Sequence, residues 1–238
     1  MSDKISIVLV AGGWHTEAHC APVTPYLEKY GYRVVPLKLR TSGKHDPLPV
    51  IQDNVQPIVD TIKAEISAGY KVCLIGHSVS GQSCVLALNS FLSTASPPEK
   101  SQIVHLVFIS CFLNGMRATA GLDWYTIDFE TFWAHLHTPH EIYATFYNDM
   151  DREAAQPFID ALDMNRAQLP PDDVPETWKE VKGTYFLCLK DKAIAPERQR
   201  VEAEGSGMRV VEVEMDHCAF VSRPEEFARE LHEALEAA

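Results

Sequence analysis

The chain has 238 residues, 46% hydrophobic and 23% charged, enough for one packed domain with an ordinary polar surface. Lys and Arg total 21 against 33 Asp and Glu, a formal net charge of −12 that disfavours nucleic acid and anionic membrane as partners. No apolar run reaches membrane-spanning length, and the first one, Ile5–Val10, is cut off by two glycines, unlike a signal peptide. The cysteines at 20, 73, 84, 111, 188 and 218 follow neither a disulfide framework nor a zinc-site spacing, so free buried thiols and a cytoplasmic location are expected.

The predicted elements alternate along the chain. A β-rich run, Ile5–Val10, ends in Ala11-Gly12-Gly13. A helix over Pro22–Tyr30 stops at Gly31, and a second strand covers Arg33–Leu39, where Pro36 points to a sheet edge or a bulge. Apolar residues recur at helical spacing from Ile51 to Ile66, and Gly69 supplies the C-terminal stop. A third strand, Val72–Ile75, leads into GHSVSG and a further helix. Strands are then expected at Ile103–Ser110, Thr184–Leu189 and Arg209–Val213, with a last helix over Pro224–Ala237. Near-continuous apolar strands separated by helices indicate a mainly parallel six-stranded α/β sheet covered on both faces. Some seventy residues between the fourth and fifth strands are rich in Trp and Phe and show helical patterns without a clear strand. They are expected to form a helical cap (113–178) inserted in a core of 1–112 and 179–238.

Gly76-His77-Ser78-Val79-Ser80 lies where a strand stops and a helix starts. A serine on such a tight turn stands clear of the sheet, provided that the residues two before and two after it are small. Gly76 and Ser80 meet this condition for Ser78. Ser80 as nucleophile would need Gln82 as a flank, which is too large, and Ser83 falls within the helix. A serine hydroxyl needs a base, and the base needs an orienting acid. Asp191 follows the fifth strand and His217 the sixth, which places both at the same sheet edge as Ser78. Asp216 is a rival acid, but as the neighbour of His217 it has a poor reach to the imidazole. Backbone N–H groups for an oxyanion are expected from Val79 and Gly13. His15 is read as a loop-ordering residue and His77 as packing. His135, His137 and His140 are read as a surface cluster with no metal bound. Gly12, Trp14, Trp124 and Trp133 are expected to line a substrate pocket.

With these motifs the chain resembles the α/β-hydrolase superfamily, and within it the compact branch of plant methylesterases, hydroxynitrile lyases and small microbial hydrolases. The likeness runs through VLVAGGWHTEAHC, GHSVSG, IYATFYND, CLKDKAIAPERQR and MDHCAF. It implies a helical cap over an apolar pocket, no cofactor, and hydrolysis of a carboxylic or methyl ester or lactone of a small metabolite through an acyl-enzyme. Two departures stand out. Ala11 replaces the histidine of the family's His-Gly pair, and Cys218 stands where the lyases carry a lysine. A cyclase or C–C bond lyase on the same scaffold, and a ligand-binding receptor, remain alternatives. The expected partner is a small-molecule substrate, and a homodimer is left open.

Overall fold

The structure is a computed structural model that describes residues 4–45, 47–113, 123–167, 171 and 173–237. In chain order the strands are β1 Ile5–Val10, β2 Arg33–Leu37, β3 Lys71–His77, β4 Ile103–Ile109, β5 Tyr125–Ile127, β6 Trp133–Leu136, β7 Asn165–Arg166, β8 Gly183–Cys188 and β9 Arg209–Val213. The helices are α1 Thr24–Lys29, α2 Val55–Ser67, α3 Ser80–Thr94, α4 Pro97–Lys100, α5 Pro139–Phe146, α6 Arg152–Asp160, α7 Pro196–Ser206, α8 Ala219–Ser222 and α9 Pro224–Glu236.

Six strands form one sheet in the order β2-β1-β3-β4-β8-β9, every pair parallel. Alternate residues of the central strands face opposite sides. Ile7, Leu9, Cys73, Ile75, Val107 and Ile109 pack with Leu27 of α1 and with Phe227 and Leu231 of α9. Val8, Val10, Leu74, Leu106 and Phe108 pack with Ile58 and Ile62 of α2 and with Leu88 and Phe91 of α3. A sheet buried on both faces has no polar side, which is why these strands read as unbroken apolar runs. Pro36 lies on β2 opposite Leu9, at the sheet's edge, where a missing N–H disrupts no second ladder.

The topology sets the position of the site. From β1 the chain moves outward to β2, then returns to place β3 on the other side of β1. The loops leaving β1 and β3 therefore diverge at a switch point, where an open α/β sheet forms a crevice beyond its carboxyl edge. Val10 pairs with Gly76, His77 with Ile109, and Cys188 with Val213, so the ends of β1, β3, β4, β8 and β9 lie side by side.

The structure departs from expectation in two places. The segment between β4 and β8 contains a second, antiparallel sheet, β5-β6-β7, beside α5 and α6. Its strands are two to four residues long, too short to show a period of two. Residues 114–122, 168–170 and 172 of the expected cap lie outside the described residues. A helix between β8 and β9 was also not expected. The inward face of α7 carries Gln199, Glu202 and Ser206 beside Ala203, so its buried side is mostly polar and leaves no apolar stripe to read.

Candidate active site

The turn after β3 is a strained backbone held from three sides. Ser78 has φ 55°, a left-handed conformation that a non-glycine residue adopts at a cost. Its N–H donates to the carbonyl of Ile109 at 3.0 Å, tying the turn to the end of β4. The carbonyl of Ser78 accepts from Gly81 N at 3.2 Å and from Phe112 N at 3.3 Å. A Cβ on Gly76 would lie 3.0 Å from the Cα of Gly81, and one on Gly81 would lie 2.8 Å from Cys111 Cβ. The close passage of helix over strand thus falls at Gly81, one residue beyond the position the motif assigns. Ser80 is free to be a serine, and it bonds. Its Oγ accepts from His77 N at 2.8 Å and lies 2.8 Å from the carbonyls of Val10 and His77, to which it can donate.

The loop after β1 is pressed against this turn. A Cβ on Gly12 would meet His77 Nδ1 at 2.8 Å, Ser78 Cβ at 3.0 Å and the His77 carbonyl at 3.1 Å. One on Gly13 would meet Asn165 Nδ2 at 3.0 Å and Val79 Cγ2 at 3.2 Å. Neither the N–H of Gly13 nor that of Val79 is taken up by an acceptor among the described residues. Trp14 follows with φ 65° and is held by the β5-β7 region: its indole N–H donates to the Ala134 carbonyl at 3.0 Å, and its own carbonyl accepts from Asp163 N at 2.8 Å. His15 holds the loop from below, with Nδ1 donating to the Gly13 carbonyl at 2.8 Å. Its Nε2 faces Tyr147 Oη and Cys218 Sγ, each at 3.2 Å.

His217 and Asp191 complete the constellation. His217 Nδ1 lies 2.8 Å from Asp191 Oδ2, and both side chains are almost fully buried. Asp191 Oδ1 accepts from the N–H groups of Ala193 and Ile194 at 2.7 and 2.8 Å. A proton on Nδ1, held by the carboxylate, leaves Nε2 as the ring's acceptor. The His77 ring stands 4.7 Å from the His217 ring, and its Nε2 bonds the His217 carbonyl at 3.0 Å, so the histidine loop is bound to the residue before Ser78. Asp216 turns away. Its Oδ1 accepts from Cys218 N at 3.1 Å, and its Oδ2 accepts from Asp149 N at 3.0 Å and Ser222 Oγ at 2.7 Å. Burial raises its pKa to about 6.

An aromatic layer covers the imidazole. Phe146 stacks on His217 at 5.4 Å, and Trp124 and Trp14 pack against Phe146 at 5.1 and 6.4 Å. Trp133 and Trp14 line a cleft of about 400 Å³ together with Ala134, Ile142, Ile159 and Leu162. Trp14 thus touches both the aromatic layer over His217 and the cleft that Trp133 lines. His140 accepts from Arg152 at 2.9 Å and His137 sits 4.0 Å from Glu141. Among the described residues no group of three or more His, Cys, Asp or Glu could hold a metal ion.

Comparison with known proteins gives the family. The model of the alpha/beta hydrolase family matches residues 7–230, and the chain belongs to that family. It is 25% identical to salicylic acid-binding protein 2 of Nicotiana tabacum, over 98% of each chain. It is 26% identical to methyl jasmonate esterase 1 of Vitis vinifera, over 97% of this chain and 96% of that one. The crystal structure of polyneuridine aldehyde esterase, known from Rauvolfia serpentina, superposes with a TM-score of 0.77 at 21% identity, covering 98% of this chain and 99% of the other.

Two predictions follow from the packing and the charges. Gly12→Ala places a methyl against backbone and Cβ atoms that cannot move, so kcat/KM should fall by roughly 10²-fold, as a displaced reacting group does. Gly13→Ala meets mainly the ends of Asn165 and Val79 and should cost clearly less; steady-state kinetics on the two variants checks the order. The second concerns pH. Burial lowers the pKa of His15, His19 and His77 below the usual 6.5, and that of His105 to about 4. Below pH ~6.5 the unfolded chain therefore takes up protons that the folded protein refuses, so stability should drop as pH falls from about 6.5 towards 4. Asp216 opposes this, since the folded protein binds its proton more readily below pH about 6, but it is one group against four. Thermal unfolding at pH 7.5 and pH 5 should show the lower Tm at pH 5.

Proposed function

We propose that the protein is a serine hydrolase that cleaves a carboxylic ester, such as a methyl ester or lactone, of a small and largely apolar metabolite. The observation that carries this reading is the His217–Asp191 pair at 2.8 Å, at the same sheet edge as a serine on a left-handed turn. In this reading Ser78 is the nucleophile, His217 the base and Asp191 the orienting acid. Val79 N–H and Gly13 N–H are the oxyanion donors.

The chemistry follows from the arrangement. Ser78 Oγ attacks the ester carbonyl carbon while His217 Nε2 takes its proton. Asp191 holds the proton on Nδ1 and stabilises the imidazolium that forms. Charge that develops on the carbonyl oxygen meets the two backbone donors, which need no reorganisation because the loops are already fixed. Collapse of the intermediate breaks the bond to the alkoxy group, which leaves as the alcohol with the proton from His217. Water, activated by the same imidazole, then releases the acid from Ser78. No step calls for a metal or cofactor. Supporting the substrate class are the apolar cover formed by Phe146 and Trp124 and two relatives named as esterases, methyl jasmonate esterase 1 and polyneuridine aldehyde esterase. The acidic surface argues against polyanionic substrates, and the six cysteines, all free and buried, suit a reducing compartment such as the cytoplasm.

Turnover of an activated short-chain aryl ester tests the reading. The wild type should release a burst of the phenol followed by a slower steady state, and Ser78→Ala should lose roughly 10⁴-fold or more in kcat. A ligand bound and released unchanged, with no burst, would make the protein a receptor. Asp191→Asn should lose a large part of kcat because the amide favours the wrong tautomer. Asp216→Asn should do far less to kcat, since Asp216 accepts its bonds from Asp149, Cys218 and Ser222.

A further inference from the structure

The helix that the sequence did not disclose carries a side chain bonded to the proposed catalytic acid. Gln199 lies on the inward face of α7 and is completely buried. Its Nε2 donates to Asp191 Oδ2 at 3.0 Å and to the Ile194 carbonyl at 2.7 Å, with the Cys188 carbonyl at 3.3 Å. Its Oε1 accepts from Cys188 N at 2.9 Å and from Ser110 Oγ at 3.3 Å. One amide therefore spans the end of β4, the end of β8 and the acid loop. A buried amide with both ends engaged has one orientation, since a flip would set its carbonyl against three acceptors and its NH₂ against a backbone N–H.

We propose that Gln199 is a positioning residue for Asp191, the fourth member of the relay Gln199–Asp191–His217–Ser78. The inference rests on the triad reading above. Asp191 Oδ1 is held by two backbone N–H groups of its own loop, so the angle of the carboxylate about that anchor depends on Oδ2. Among the described residues Oδ2 has two hydrogen-bonding neighbours, His217 Nδ1 at 2.8 Å and Gln199 Nε2 at 3.0 Å. The amide thus fixes where Oδ2 points and draws off part of its charge, which limits how strongly Asp191 holds a proton on His217. Other titratable groups face the pair. His77 and His15 stand on the side of the β1 and β3 loops, both kept neutral by burial. Asp216 is on the histidine's own loop, and Cys188 ends β8, with its thiol pushed up by burial. On α7 itself, Glu202 accepts from Leu113 N at 3.0 Å. Asp149 is paired with Lys190 at 2.8 Å and Arg223 at 2.9 Å.

Two variants test this, with a readout that needs no substrate. In Gln199→Leu the Oδ2 atom keeps only the imidazole, so the NMR titration midpoint of His217 should move upward relative to the wild type. Its kcat should fall about tenfold or more with KM little changed. In Gln199→Glu the new carboxyl faces Asp191 Oδ2 and two carbonyls, so it must hold a proton to stay in place. Its kcat/KM should then gain a descending limb at high pH that the wild type lacks, at pH values where the variant is still folded by circular dichroism. A His217 midpoint unmoved in Gln199→Leu, or a Gln199→Glu profile of wild-type shape, would reduce Gln199 to a structural residue and overturn the proposal. A wild type with no ester turnover would instead sink the hydrolase reading, and the His217 titration would still decide the role of Gln199.

Discussion

The arrangement depends on one steric fact: α3 starts so close to the end of β3 that the two backbones nearly touch at Gly76 and Gly81. That contact forces the chain to reverse within a single residue, and Ser78 takes the left-handed conformation that makes the reversal. The turn is strained, and it persists because it is overdetermined: Ile109 and Phe112 bind its backbone, and Ser80 closes it onto β1. The serine is thereby held at the sheet edge, and its neighbour Val79 caps the start of α3. The positions of Ser78 and of the Val79 N–H are two outcomes of the same steric contact.

The second layer is a row of imidazoles, three of which burial keeps uncharged. His19, His15, His77 and His217 follow one another with ring separations of 4.7, 5.3 and 4.7 Å. Each of the first three uses one ring nitrogen to hold a backbone carbonyl: that of Phe158, of Gly13 and of His217 respectively. Neutrality lets them do so without filling the site with positive charge, and burial enforces it. The histidines thus join the β1 loop, the β3 turn, the His217 loop and the Phe158 region into one rigid unit. The segment from Phe146 to Asp149 acts in the same direction, with a ring on His217, an amide bonded to the Lys190 carbonyl and a carboxylate between Lys190 and Arg223.

How much of this was legible in the sequence follows from how each feature is encoded. The core strands are coded by long apolar runs, so β1, β3, β4, β8 and β9 could be read within a few residues. The placement of Ser78, Asp191 and His217 at one sheet edge could be read because each follows a strand end. Ser80 was read only as a small flank, yet it carries the hydrogen bonds that close the turn, and the close approach to β3 falls at Gly81. The antiparallel strands near Trp133 were hidden by their shortness. Gln199 was hidden because a polar residue on a charged helix gives no signal until the fold shows that it points inward. Trp133 and Trp14 were both expected at a pocket on residue type alone, and the fold brings them to one cleft.

The central claim is that the strained turn delivers a nucleophilic Ser78 to His217. Incubation with a fluorophosphonate, followed by peptide mapping, tests it most directly. The account predicts one covalent adduct, on Ser78, formed quickly by the wild type and at a rate near background by His217→Ala. An adduct on Ser80 or Ser83, or labelling of Ser78 at the same rate without His217, would contradict it.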